Sequence, residues 1–218
     1  MTSVPISPRV AKCGFVLLDA ETAAVLAVIA LQYNPDTLTR TLQAQTVTDA
    51  ADRSTPMRFT APPTETLKLD AELDATDLLE NPDQHRGAVE SGIHAQLAVL
   101  ETMIYPSTTR LQANNALQAS GTLEIVPIEA PLVLFVLGSN RILPVRITDF
   151  SVTEEAFDPK LNPMRAKVSL GLRVLNVNDL GFKHKGGSLY LMYQARKESF
   201  AAQARTAVFG TLGIGGIP

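Results

Sequence analysis

Apolar and polar side chains alternate strictly from Arg165 to Asn176. Ala166, Val168, Leu170, Leu172 and Val174 share one phase; Arg165, Lys167, Ser169, Gly171 and Arg173 share the other. A period of two is the pleat of a β-strand with one dry and one wet face. The stretch around Thr66 to Asp74 repeats it, with Leu67, Leu69, Ala71 and Leu73 set against Thr66, Lys68, Asp70, Glu72 and Asp74. Upstream of the first alternation, Val145 and Ile147 occupy one phase while Phe150 and Val152 occupy the opposite one, so the strand must kink or bulge near Thr148 and Asp149. Residues 131–177 therefore read as a long, bent β-meander of the kind a curved sheet needs.

The remaining pattern predicts shorter elements. Cys13–Leu18 and Ala24–Gln32 form a hairpin, and the second strand, apolar on both faces, is expected to sit centrally. Pro35 pushes Asn34 out of the helical region and bends the chain before a strand at Leu38, Arg40 and Leu42; Gln43–Pro56 reads as a loop. Pro62 and Pro63 should blunt the start of the following strand, because proline donates nothing to a ladder. Val89, Ile93, Leu97, Leu100 and Ile104 recur at helical spacing behind Asn81-Pro82, which predicts one helix over 82–104 lying across the sheet. Residues 106–121 read as a turn-rich connection, 122–126 and 132–137 as strands, and Gly138-Ser139-Asn140 as the turn into the meander. After a loop at 179–187, residues 188–208 read as a second helix capped by Ser188, with Tyr190, Leu191, Tyr193, Phe200 and Ala204 as its apolar side. The fold class is thus mainly β with flanking helices (α+β). One domain spans 13–177, between an N-terminal arm (1–12) and a C-terminal extension (178–218) ending in an apolar, glycine-rich tail.

Composition narrows the function. With 45% hydrophobic and 19% charged residues the chain is globular, and 19 Lys and Arg against 22 Asp and Glu leave a net charge of -3, which argues against electrostatic binding of nucleic acid. Cys13 is the sole cysteine, so an internal disulfide or a thiolate metal cluster is excluded. Asp19 and Glu21 interrupt the only long apolar stretch, and neither a membrane span nor a signal peptide is expected.

Candidate chemistry dissolves on inspection. Asp70, Glu72, Asp74 and Asp77 offer oxygen ligands without the glycine and final glutamate of a calcium loop, and Lys68 sits among them. His85 and His94 are too far apart to share one helical face. Glu154 and Glu155 are adjacent and point to opposite faces of a strand, which disqualifies them as an acid–base pair. The glycines at 210, 213, 215 and 216 lead into no helix, and no G-x-S-x-G motif occurs. No catalytic, cofactor-binding or metal-binding residue is assigned.

Three segments resemble the tube-protein family of contractile injection systems. Leu31-Gln-Tyr-Asn-Pro-Asp-Thr-Leu-Thr-Arg40 is similar to that family's aromatic-Asn-Pro-x-x-Leu-x-Arg segment, and Pro62–Asp70 to its strand after the first loop. The third segment carries Pro131, Leu132, Gly138, Pro144, Val145, Ile147, Glu154, Phe157, Asp158, Leu161, Asn162, Pro163, Arg165, Ala166, Val168 and Leu170. The resemblance implies a tube fold, a β-barrel-like pair of sheets with long hairpins. It further implies a hexameric baseplate ring that starts or adapts the inner tube at the spike hub of a phage-tail-like particle.

The expected partners are other copies of the chain, the inner tube protein, the spike or hub protein and the baseplate wedge proteins, with no nucleic acid and no direct membrane insertion. The expected location is the bacterial cytoplasm during assembly and the injection particle thereafter. Ring-forming residues are expected among Pro144, Val145, Ile147, Glu154, Phe157, Asp158, Asn162, Pro163, Arg165, Lys167 and Arg173, and a wet or lumenal face at Lys68, Asp70 and Glu72. Related chains often continue into a LysM-like module; none is expected within these 218 residues, and the C-terminal segment is expected to dock on a neighbouring component in its place. The alternatives are a monomeric β-sandwich that binds peptide or carbohydrate and, more remotely, a hydrolase using Asp70 and Glu72.

Overall fold

The computed structural model describes residues 10–46, 58–80, 82–119, 130–204 and 209–217. Seven strands form one antiparallel open sheet: β1 Gly14–Leu18, β2 Val25–Ala30, β3 Leu38–Thr46, β4 Phe59–Asp74, β5 Leu132–Val136, β6 Ile142–Phe157 and β7 Pro163–Val174. Their order across the sheet is β2-β1-β5-β6-β7-β4-β3. The mainly β architecture with flanking helices is as the alternation predicts. Apolar phases of β4 and β7 coincide across the ladder, Leu67 opposite Leu172, Leu69 opposite Leu170 and Ala71 opposite Val168, and all six are buried. Each fully buried leucine removes about 1.5–3 kcal/mol worth of apolar surface from water, so this strip anchors the sheet.

The kink lies where the phase change puts it. In the β6–β7 ladder the register shifts between Ile147 and Asp149, and beyond the shift Phe150 and Val152 face Leu170 and Val168 on the core side. Gly171 makes the bulge possible, since a Cβ there would stand 2.8 Å from the Asp149 Cβ and 3.2 Å from the Thr148 Oγ1. Gly171→Ala is expected to cost about 1–3 kcal/mol by overpacking the bulge, measured as a lowered urea midpoint; an unchanged midpoint would remove glycine from the account of the kink.

Several sequence expectations are corrected. β2 is an edge strand, because the 19–24 turn lays it beside β1 while β5 takes β1's other side; its Val25, Leu26 and Val28 are 63%, 58% and 71% exposed. β3 runs on to Thr46, so the polar stretch after Leu42 begins as strand; residues 47–57 lie outside the described residues. Pro62 and Pro63 lie inside β4 rather than before it: the β3–β4 register is irregular beside them, and pairing with β7 starts only at Thr66. Proline is tolerated in a strand where the ladder is broken or one side is free.

The single helix expected over 82–104 is two: α2 Arg86–Ser91 and α3 His94–Glu101, behind the one-turn α1 Thr76–Leu79. Gly92 (φ +57) ends α2, and the next amide, Ile93, donates to the Pro163 carbonyl at 3.0 Å instead of continuing the helix. Ile93, Leu97 and Leu100 are buried as expected, but Val89 and Ile104 are exposed, and Ala88 and Met103 are buried in their stead. The capping Asn81 and the strand expected at 122–126 lie outside the described residues. A helix, α4 Thr108–Ala119, occupies most of the expected turn-rich connection.

Residues 179–187, expected as loop, are partly helical. A short helix, α5 Val177–Leu180, is closed by a capping box between Asn176 and Asp179. The last helix, α6 Lys185–Gln203, starts earlier than expected and is capped by His184, whose Nδ1 accepts from the Gly186 amide at 3.1 Å. Tyr190 and Tyr193 of α6 enter the main core, whereas Leu191 and Phe200 are exposed. Helix α6 is therefore integral to the domain, and truncation after Val177 or Leu180 would open the core; a truncation that tests docking of the apolar tail belongs after Ala204.

Candidate assembly surface

Four long strands, β6, β7, β4 and β3, stand side by side and carry the polar phases on one face. Lys68, Asp70, Glu72, Arg165 and Lys167 are exposed there, and Arg173 is partly exposed. Opposed charges pair across the β4–β7 ladder: Arg165 Nε and Nη2 donate to Asp74 Oδ2 at 3.0 and 2.7 Å, and Lys167 Nζ lies 3.1 Å from Asp70 Oδ2. Ser169 Oγ donates to Asp70 Oδ1 at 2.7 Å, and Arg173 Nη2 to Asp179 Oδ1 at 2.8 Å. Glu155 and Thr153 on β6 stand opposite Arg165 and Lys167 and extend the polar face by one strand. Of the four acids with cation-ligand potential, Asp70 and Asp74 are thus engaged within the chain, and Asp77 accepts from the Tyr33 hydroxyl at 2.6 Å.

Both margins of this four-stranded block are open among the described residues. β5 pairs with β6 only from Ile142 to Val145, which leaves the β6 edge away from β7 unpaired from Ile147 to Phe157. β3 closes the other margin and pairs only with β4. Unpaired edges of this length are templates for pairing with another chain.

Carboxylates along this surface are held below their ordinary range. Asp70 is lowered by the Ser169 hydroxyl and then by Lys167; Asp74 by Thr76 and then by Arg165; Asp158 chiefly by the Asn162 side chain. An acid with a depressed folded pKa contributes stability above its unfolded value, about 3.9, and loses it as pH falls through the folded value. The urea midpoint is expected to hold from about pH 7 to about 5 and to fall below about pH 4. Asp74→Asn should flatten that fall, and an unaltered acid limb would contradict the assignment.

The β6–β7 turn is locked and docked. Asp158 Oδ1 accepts the amides of Lys160 and Asn162 at 2.7 and 2.8 Å, and Asn162 Nδ2 bridges Asp158 Oδ2 at 2.8 Å and the Glu90 carbonyl at 3.1 Å. Pro163 is buried beneath the α2–α3 break, where its carbonyl accepts from Ile93. Asp158, Asn162 and Pro163 therefore fix the tip onto the chain's own helices. Pro144 and Val145 are buried in the sheet and Ile147 is half-buried. Glu154 and Phe157, with Arg165 and Lys167, are the expected residues that lie exposed.

One cluster escaped the sequence reading. Glu65, 2% exposed, accepts from Arg40 Nε at 2.5 Å and from the Tyr193 hydroxyl at 3.3 Å, and Lys197 Nζ lies 3.5 Å away. Lys197 also stands 4.1 Å over the Tyr193 ring, and its ammonium pKa is lowered, first by desolvation. The signal was present: Glu65 is an acid in the phase of Leu67 and Leu69, which a buried counter-charge must satisfy.

No family model matches the chain, and no curated protein matches it. Among solved structures, the chain is similar to one from the tail of an empty gene transfer agent particle with C6 symmetry. That similarity has 10% identity and a TM-score of 0.29, over 75% of this chain and 90% of the other. A chain from a native gene transfer agent virion gives 11% identity and a TM-score of 0.27, over 74% and 90%. Overlap at such scores does not establish a shared fold. Among the described residues no helix is long and apolar enough to cross a membrane.

Proposed function

We propose that the chain is a non-enzymatic structural protein that closes into a ring and builds the wall of a tube segment in a phage-tail-like particle. The observation that carries this reading is the pair of open margins on one polar-faced, four-stranded block. In a cyclic ring every copy keeps the same sense along the axis, so a head-to-tail contact joins two different edges of the chain. Sheet order makes β6 antiparallel to β3, whereas β2 and β3 run in the same sense. Joining β3 to the distal β6 edge of the next copy is therefore antiparallel and long. A β2–β3 junction would be parallel, slightly weaker per residue, and limited to the six residues of β2.

Repeated around the ring, the β6-β7-β4-β3 block supplies a curved wall lined by Lys68, Asp70, Glu72, Arg165 and Lys167, with the core and helices outside. The bulge at Ile147–Asp149 separates the part of β6 held by β5 from the part offered to a neighbour. Six copies, a position between spike hub and inner tube, wedge-protein contacts and assembly in the bacterial cytoplasm are what the sequence resemblance adds to this reading. Mass photometry and negative-stain imaging of the full chain at rising concentration test it. Closed rings of one size with a stain-filled centre are expected; monomers at every concentration would favour a solitary binding module and overturn the proposal.

A further inference from the structure

The Glu65 cluster borders a cavity of about 400 Å³ lined by Arg40, Arg141, Arg196 and Lys197. Four cations from β3, the β5–β6 hairpin and α6 thus line it, and two of them, Arg40 and Lys197, pair with the buried Glu65 carboxylate. Arg196 is turned to the Ser139 carbonyl, and the Arg141 guanidinium has no ion pair among the described residues. Excess positive charge that is partly desolvated favours a further anion.

A carboxylate with the converse deficit stands at the other margin. Glu154 lies opposite Ala166, in the core-side phase that includes Phe150 and Val152, yet it is exposed and has no ion pair among the described residues. The core-side phase of β3 is Leu38, Arg40 and Leu42, opposite Leu69, Leu67 and Glu65. Aligned on the midpoints of the two open edges, antiparallel pairing sets Leu42 against Val152 and Arg40 against Glu154, each pair on one face. That register brings Leu42, 49% exposed in the single chain, against the half-buried Val152.

We infer that Glu154 of one copy is the counter-ion of the basic cavity beside β3 of the next, seated against Arg40, so that the cavity is complete only in the ring. The inference rests on the edge-pairing reading above and adds its register and its charge lock. Glu65 satisfies Arg40 and Lys197 within the chain; Glu154 supplies the second carboxylate at assembly.

The test uses the full chain with Leu42→Cys and Val152→Cys together, oxidised under assembling conditions. Cys13 is buried and its thiol pKa is raised to about 11, so it contributes no competing thiolate. Covalent multimers ending at the ring size are expected from the double variant and not from either single one. Adding Glu154→Lys should raise the concentration needed for assembly about tenfold or more, and Glu154→Gln should raise it less. Cross-linked rings indifferent to both substitutions, or rings without the cross-link, would overturn the inference and leave the ring reading standing. Absence of rings and of cross-links together would overturn both.

Discussion

Gly92→Ala is expected to lower the stability of the fold by about 3 kcal/mol or more. Two costs combine: the positive φ of +57 strains an alanine by about 1–3 kcal/mol, and its Cβ would lie 2.2 Å from the Pro163 carbonyl oxygen. Backbone on both sides of that contact leaves no side-chain tip to swing away, so either the helix break or the hairpin tip must move. Ile93 then loses its acceptor and Asn162 its hold on the Glu90 carbonyl. Urea unfolding followed by circular dichroism measures the loss, and hydrogen exchange should show 158–163 opening with it. An alanine variant of undiminished midpoint would mean that the tip is not seated by the α2–α3 break.

Glu65→Ala is expected to cost about 3 kcal/mol, the lower end of the range for removing one partner of a buried ion pair. Arg40 and Lys197 lose their carboxylate, but their side chains are 30% and 31% exposed and can turn partly to water. Replacing all three members together by methionine and leucine should recover most of that loss, since no charge is then left without a counter-charge. A thermal melt of the single and triple variants compares them. Equal destabilisation of both would show that packing, not charge, holds α6 to β4.

Much of the sheet was legible because a period of two leaves few alternatives. Leu67 to Leu73 and Ala166 to Val174 each declare a buried face, and the phase change between Ile147 and Phe150 declares the bulge. What the pattern could not show was which strand ends beside which. β2 reads as central because both its faces are apolar, yet strand order makes it an edge. The helix over 82–104 reads as continuous because glycine is tolerated in a helix; only the approach of Pro163, seventy-one residues downstream, explains the break at Gly92. Similarly, α6 begins at Lys185 because His184 rather than Ser188 caps it, a role that requires the loop conformation before it.

The candidate surface was legible in part. Lys68, Asp70, Glu72, Arg165 and Lys167 fall on the wet face that alternation assigns to them, while Asp158, Asn162 and Pro163 belong to a turn whose own hydrogen bonds occupy them. The two open margins follow from pairing between distant segments, and the basic cavity from three elements that meet only in the folded chain.

Hydrogen–deuterium exchange on the full chain, compared between monomer and assembled ring, tests the central claim most directly. An edge strand exchanges freely where its amides face water and is protected when it gains a partner. The account predicts new protection at 38–46 and 147–157 on assembly, with Val25–Ala30 unchanged. Protection confined to Val25–Ala30, or no new protection at either margin in a chain that forms rings, would contradict it.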